Sequence, residues 1–427
     1  MASPYFHFSQ MEFNISSQQK SFLRRVDSVC ERLRQYEEHC YLQEKFNDKI
    51  IPEFAKIGML GCPVSRKYGG LGYDVLTYAL ALERIGQEGS SMRTFFSVHT
   101  SLGQLTLQSW GTEEQKKEFL SRTTDGRSIM AFALTEPEAG SDPSSISTTF
   151  EETPARQYVL NGKKHWIGNG TFADIIIVFA KEVPGVNSDG KISAFIVDRN
   201  SCPGIRVQEM ENKMGLLTVK NAEIYFENCI VPRENLLGSK DNGLNVGYSG
   251  LIDGRLSVAA GSLGVMQDCL EESIAYSKRR EQHGSVLAKK QLIQEHIAIM
   301  ATNVESSKWL TYRAAASIQK LHDYIEHVKA TEDDWPSKLN YANKQYSSLR
   351  QEADRLAAIA KFHATNAAFD TSNRAVQIFG ASGYRKTTRV ARHFLDSRAI
   401  TIYEGTNEIL ELKIATMILG RDYTAYK

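Results

Sequence analysis

A carboxylate can take a proton from carbon only if burial lifts its pKa above that of a solvated acid. Glu404 is a candidate. It stands between Tyr403 and Gly405 in IYEGTNEI, just before Thr406 opens a predicted helix. On these residues alone it is either a solvated loop acid or the base of an active site. A second stretch, AFALTEPEAGSDPSS from Ala131 to Ser145, joins an apolar run to a turn rich in Thr, Gly, Ser and Asp. It is either a strand end with its turn or a set of amides and hydroxyls facing a polar cofactor. A third, SSMRTFFSVHTSLG, offers Arg93, Ser97 and His99 as polar groups at helical spacing. Arg93 is either structural or the partner of a polar or anionic group, since arginine is seldom fully buried without one. No G-x-G-x-x-G follows a strand and no P-loop is present. The six cysteines have no close-spaced pairs, so neither a zinc site nor a disulfide framework follows, and reduced thiols in a cytoplasm are expected.

The elements that must position these residues fall into three regions. The chain has 427 residues, enough for more than one domain. Residues 1–128 read as helical, with capping-box spacing at Thr112 and Gln115 and a Gly-rich loop in KYGGLGYD. Residues 129–240 change period. ADIIIVFA, KISAFIVD and AEIYFENCIVP are short β-rich runs, and YVLNGKKHWIGNG predicts an Asn-Gly turn between strand-forming residues. Residues 241–427 contain one proline, Pro336, and read as long helices over 263–280, 291–321 and 349–378. The expected fold class is α+β: an N-terminal helical domain, a central antiparallel β domain and a C-terminal helical bundle.

Composition narrows function. Formal net charge is +1, from 51 basic and 50 acidic side chains, which provides no field for nucleic acid or an anionic membrane. No apolar run is long enough to span a bilayer, and MASPYFHFSQMEFN lacks the features of a secretory signal.

Four segments, LTEPEAGSD, KHWIGNG, AVQIFGASGY and IYEGTNEI, together resemble the acyl-CoA dehydrogenase family of flavoproteins in order and spacing. The resemblance covers nearly the whole chain. It implies FAD bound between the β domain and the C-terminal helices, closed by a neighbouring subunit of a homotetramer built as a dimer of dimers. Thr135, Ser141, Trp166, Gly168 and Thr406 would lie along FAD, and Arg280, Gln377 and Ala381 would reach it across the subunit interface. Glu404 would be the base. The family's other position for that base matches Gly254, which cannot accept a proton. The following residue, Arg255, is placed on the substrate side with Arg93, Ser97 and His99. No metal is expected.

The implied reaction is α,β-dehydrogenation of an acyl thioester, on CoA or on an acyl carrier protein, to a trans-2-enoyl thioester. Electrons would pass to an electron-transferring flavoprotein or, in an oxidase, to O2. The enolate-like charge would be met by backbone and cofactor donors, each worth roughly 3 kcal/mol. Three departures bear on this. Gly168 stands where many members have threonine, which removes a hydroxyl and is expected to open space. His283 stands where phenylalanine is usual, and Ala381 where glycine is usual. In glutaryl-CoA dehydrogenases an arginine in the register of Arg93 pairs with a distal carboxylate, so a short or polar acyl group is expected. Residues 323–345 look like an insertion that extends a helical hairpin. A flavin-binding module without dehydrogenation, for instance on nucleic acid, is the remote alternative, and the charge balance and the retained YEGT oppose it.

Overall fold

The computed structural model describes residues 15–184, 190–332, 335–339 and 342–425. The stretch MASPYFHFSQMEFN, residues 1–14, lies outside the described residues.

The chain forms an N-terminal helical domain, a central β-sheet domain and a C-terminal helical domain. In the first, helix α1 (Ser17–Leu42) starts at a capping box in which Ser16 and Gln19 exchange bonds. Asp74 caps α2 (Val75–Glu88), accepting from the Thr77 N–H at 2.7 Å. After Gly89 comes α3 (Ser90–Phe96), which runs on into a π-helical stretch, Ser97–Gln104. The Thr112–Gln115 capping box forms as its spacing predicts. Buried residues of α1, α2 and α3 share one core with Leu256, Ala259 and Ala260, so the N-terminal domain is packed onto the C-terminal helices.

The central sheet contains β1 (Met130–Ala133), β2 (Thr149–Glu152), β3 (Tyr158–Gly168), β4 (Ile175–Glu182), β5 (Ile192–Asp198), β6 (Ile205–Glu209), β7 (Asn221–Val231) and β8 (Leu236–Leu237). Its order is β6-β7-β3-β2-β4-β5-β8, with β1 beside β4. Most neighbours are antiparallel, but β1 and β2 both pair with β4 in parallel. The predicted Asn161–Gly162 turn is not a turn. Both residues lie inside β3, where the register against β7 shifts between Leu160 and Gly162. Gly162 has φ +147° and passes so close to Thr148 that a Cβ would sit 2.6 Å from its Cα. Here a strand pair that suits Asn-Gly became a bulge because its neighbours leave no room for a loop.

The C-terminal domain is built from α4 (Gly243–Arg279), α5 (Gln291–Thr331), α6 (Lys344–Phe379), α7 (Arg389–Ile400) and α8 (Asn407–Leu419). The absence of proline lets the first three run longer than the predicted segments. In the expected insertion, Trp335–Lys338 forms one helical turn and Asn343 caps α6. This tip is tied to the first domain: Lys329 donates to the Gln108 carbonyl at 2.6 Å and its ammonium lies 5.3 Å from the Trp335 ring. Among the described residues no helix is long and apolar enough to cross a membrane, and no cluster of His, Cys, Asp and Glu could hold a metal.

Candidate active site

The YEGT turn joins α7 to α8. Glu404 and Gly405 both take left-handed conformations, with φ +59° and +88°. A side-chain-bearing residue pays for that conformation, roughly 1–3 kcal/mol, and persists there only where its surroundings hold it. Three groups do so. Arg255 of α4 donates from Nε to the Glu404 carbonyl at 3.3 Å, Lys361 of α6 donates to the Gly405 carbonyl at 2.8 Å, and the Thr406 hydroxyl caps α8 at Ile409. The Glu404 N–H donates to no backbone carbonyl among the described residues.

This turn carries the Glu404 carboxylate against Gly254. A Cβ at residue 254 would stand 2.5 Å from Oε2 and 2.7 Å from Oε1. Glycine is therefore what makes room for the acid. Glu404 as a residue is partly exposed, but its Oε2 is buried and has no hydrogen-bond partner. Burial disfavours its charge and pushes its pKa up to about 7, against the opposing pull of Arg255, Arg93 and Lys361.

Arg93 is fully buried. Its Nη2 donates to the Tyr403 hydroxyl at 2.5 Å, while Nε and Nη1 have no partner. Gly261 makes space for its stem, since a Cβ there would lie 2.7 Å from Arg93 Cδ. Ser97, one turn on, has a buried hydroxyl with no partner. Arg255 has a second engagement, with Asp354 at 2.6 Å, and Asp354 also pairs with Lys413 at 2.7 Å. His99 does not join this group, contrary to expectation. One ring nitrogen accepts the Met130 N–H at 3.1 Å and the other faces the Thr123 carbonyl at 3.1 Å. Burial pulls its pKa down to about 4, so the ring is a neutral brace between the first two domains. An i, i+2 spacing turns a side chain away from its neighbour on a helix, so His99 does not share the face of Arg93 and Ser97.

Comparisons with known proteins identify the family and the fold. Three family models match in order: Acyl-CoA dehydrogenase, N-terminal domain, over 16–127; middle domain, over 131–229; and C-terminal domain, over 241–331 and 338–419. The chain belongs to the acyl-CoA dehydrogenase family. An acyl-CoA dehydrogenase of Bacillus subtilis is 37% identical over 88% of this chain and 91% of its own length. The structure of butyryl-CoA dehydrogenase from Megasphaera elsdenii superposes with a TM-score of 0.85 at 33% identity, covering 96% of this chain and 100% of that one. An acyl-CoA dehydrogenase from Bacillus anthracis, complexed with FAD, superposes at 0.85 and 30% identity, covering 96% of this chain and 68% of that one.

The cofactor of this acyl-CoA dehydrogenase is FAD, and the residues present fit a large planar group. Trp166 has φ +58° and is 52% exposed, an unusual state for a tryptophan on a strand. A register shift in β3 between Lys164 and Ile167 turns it outward. Ser141 is exposed on the TEPEAGSD turn, and partly exposed Thr135 is tied to β3 by the His165 N–H at 2.9 Å. Under this turn lies a pair that inspection of the sequence missed. Lys164 bonds Glu136 at 2.7 Å and the Leu134 carbonyl at 3.1 Å, and Glu136 also accepts from the Ser147 and Thr148 N–H groups. The signal was there, as a lysine at an inward position of an alternating strand. At Gly168 the expected open space is absent: a Cβ there would lie 2.8 Å from Val98 Cγ2, so the π-helical segment fills it.

Arg280, Gln377 and Ala381 are exposed and stand apart from Glu404 in the chain. Arg280 caps the end of α4 and Gln377 lies in the last turn of α6, and these helix ends are joined where Tyr276 stacks on Phe379 at 4.1 Å. His283 lies on the same exposed segment, at φ +50°.

Proposed function

We propose that the enzyme dehydrogenates a short or polar acyl thioester between Cα and Cβ, with Glu404 as the base. The observation that carries this reading is a buried carboxylate oxygen with no hydrogen-bond partner, packed on Gly254 and flanked by a buried guanidinium. Glu404 takes the α-proton, and its proton affinity near neutrality suits the task better than a solvated acid's would. FAD, when bound, supplies the acceptor for the hydride equivalent leaving Cβ. Thr135, Ser141, Trp166 and Thr406 would hold it from this chain, and Arg280, Gln377 and Ala381 would do so for a neighbouring subunit of a tetramer. The unengaged Glu404 N–H is the donor for the thioester oxygen as it gains charge.

Arg93 and Ser97 set the acyl preference. A guanidinium with two free nitrogens in a buried place favours an acyl group that ends in an acceptor, a distal carboxylate above all. The likeness to butyryl-CoA dehydrogenase supports the short length. CoA is the expected carrier and an electron-transferring flavoprotein the expected electron acceptor.

The test is anaerobic flavin bleaching with a panel of butyryl, glutaryl and longer thioesters, on CoA and on carrier protein, for the wild type and for Glu404→Gln. Bleaching by short or dicarboxylic thioesters that Glu404→Gln abolishes is the expected result. Near wild-type bleaching by Glu404→Gln sinks the mechanism. Peroxide formed in air at the rate of turnover would replace the dehydrogenase outlet with an oxidase one.

A further inference from the structure

Lys361 has no part in the reaction described so far, yet it is fully buried in an Ala-rich turn of α6. Its ammonium donates to the Gly405 carbonyl at 2.8 Å and to Asn407 Oδ1 at 2.9 Å. Asn407 in turn donates to Thr365 Oγ1 at 3.0 Å and to Asn366 Oδ1 at 2.9 Å. These four polar contacts bind the YEGTN turn to one helix. Arg255 holds the preceding carbonyl from another. Neither cation donates to the Glu404 carboxylate, which would quench it as a base.

We propose that Lys361 is a positioning residue for the dehydrogenation: it fixes the left-handed turn that aims Glu404 at Gly254, and its ammonium stands beside the acid without bonding it. This rests on Glu404 being the base. The charged groups around the acid come from four helices. Arg93 lies on α3, Arg255 on α4 and Lys361 on α6, while Glu408 on α8 acts on Lys361. Asp354 and Lys413 pair beside Arg255. Burial lowers the pKa of Lys361 to about 7, and the Glu404 charge opposes that fall. Two groups that titrate in one range and feel each other share their protons. Loss of the lysine charge therefore makes Glu404 harder to ionise, whereas loss of a merely structural clamp leaves its titration where it was.

The experiment uses the FAD-loaded enzyme and the variants Lys361→Met, Lys361→Gln and Lys361→Arg. Glu404 protonation is followed by its carboxyl infrared band, identified by its loss in Glu404→Gln, alongside the pH profile of kcat/KM. Lys361→Met and Lys361→Gln are expected to move both midpoints upward by about one unit. Lys361→Arg keeps the charge and is expected to keep the wild-type midpoint. In Lys361→Met, kcat is expected to fall about 10²-fold with little change in KM, the effect of a misaimed group. Unmoved midpoints in both neutral variants overturn the proposal. So does failure of all three variants to bind FAD and unfold cooperatively, which would make Lys361 purely structural. Turnover that survives in Glu404→Gln, whatever the Lys361 variants do, overturns the base assignment and this inference with it.

Discussion

Two glutamates with buried carboxylate oxygens, each with a lysine near it, differ sharply in proton affinity. Glu136 sits beneath the TEPEAGSD turn with Lys164 bonded at 2.7 Å and with the Ser147 and Thr148 N–H groups on its oxygens. Burial works against its charge, but Lys164 and these donors hold its pKa down to about 2. Glu404 has three cations in reach, and each is engaged elsewhere: Lys361 with Gly405 and Asn407, Arg255 with the Glu404 carbonyl and Asp354, Arg93 with Tyr403. Desolvation then prevails, and the pKa rises to about 7. The residue types are nearly the same in both places. Whether a buried carboxylate is a brace or a base depends on whether the donors around it point at its oxygens.

The strongest test of this contrast is exchange of each acid for its amide. Glu404→Gln is expected to slow flavin reduction by roughly 10²–10⁴-fold, measured by stopped-flow bleaching. Glu136→Gln, once loaded with FAD, is expected to reduce it at a rate near that of the wild type. The order reverses in stability. Glu136→Gln and Lys164→Met each leave a buried partner stranded and are expected to cost about 3–5 kcal/mol in urea unfolding.

Gly254→Ala is the next test, because it disturbs the proposed base without changing its chemistry. The added methyl falls on the carboxylate oxygens, so the acid must move. A displacement near 1 Å is expected to lower kcat by about 10²-fold, with the unfolding midpoint shifted far less than in Glu136→Gln. Rates equal to the wild type would show that the acid has slack in its seat.

Smaller effects appear with pH. Glu404 must be ionised to accept a proton, so kcat/KM is expected to rise with pH through about 7. Its folded pKa lies above the value of 4.5 for an unperturbed glutamate. Between those values the folded state binds more protons than the unfolded one, and stability falls as pH rises. Glu404→Gln removes that slope, so at pH 8 it is expected to unfold at higher urea than the wild type. Glu136 has the opposite sign. Its contribution is complete above its ordinary pKa of 4.5 and is lost as pH falls toward 2. The smallest effect is on selectivity. Arg93→Met is expected to lower kcat/KM for a dicarboxylic acyl thioester by about 10-fold or more relative to a neutral one of equal length.

Much of the fold was legible because it is written in local signals. Capping residues such as Thr112 and Gln115, the β-rich runs that became β4, β5 and β7, and a proline-poor C-terminal half report the preferences of neighbouring residues. The same legibility failed where packing overrode preference. Asn161–Gly162 became a bulge under Thr148, His99 was taken up by the Met130 N–H and the Thr123 carbonyl, and Gly168 met Val98 instead of open space. Lys361 left a faint trace, a lone lysine in AAIAKFHAT, but its partners Gly405 and Asn407 lie over forty positions on.

The amino-acid sequence by itself singled out Glu404 as the candidate acid, because its YEGT segment resembles that of the family and Gly254 leaves the family's other position without a carboxylate. Only the tertiary structure decided that this acid is buried, unbonded and ringed by cations occupied elsewhere. Proton affinity depends on the solvent and charges within a few ångströms, and those come from four helices far apart in the chain.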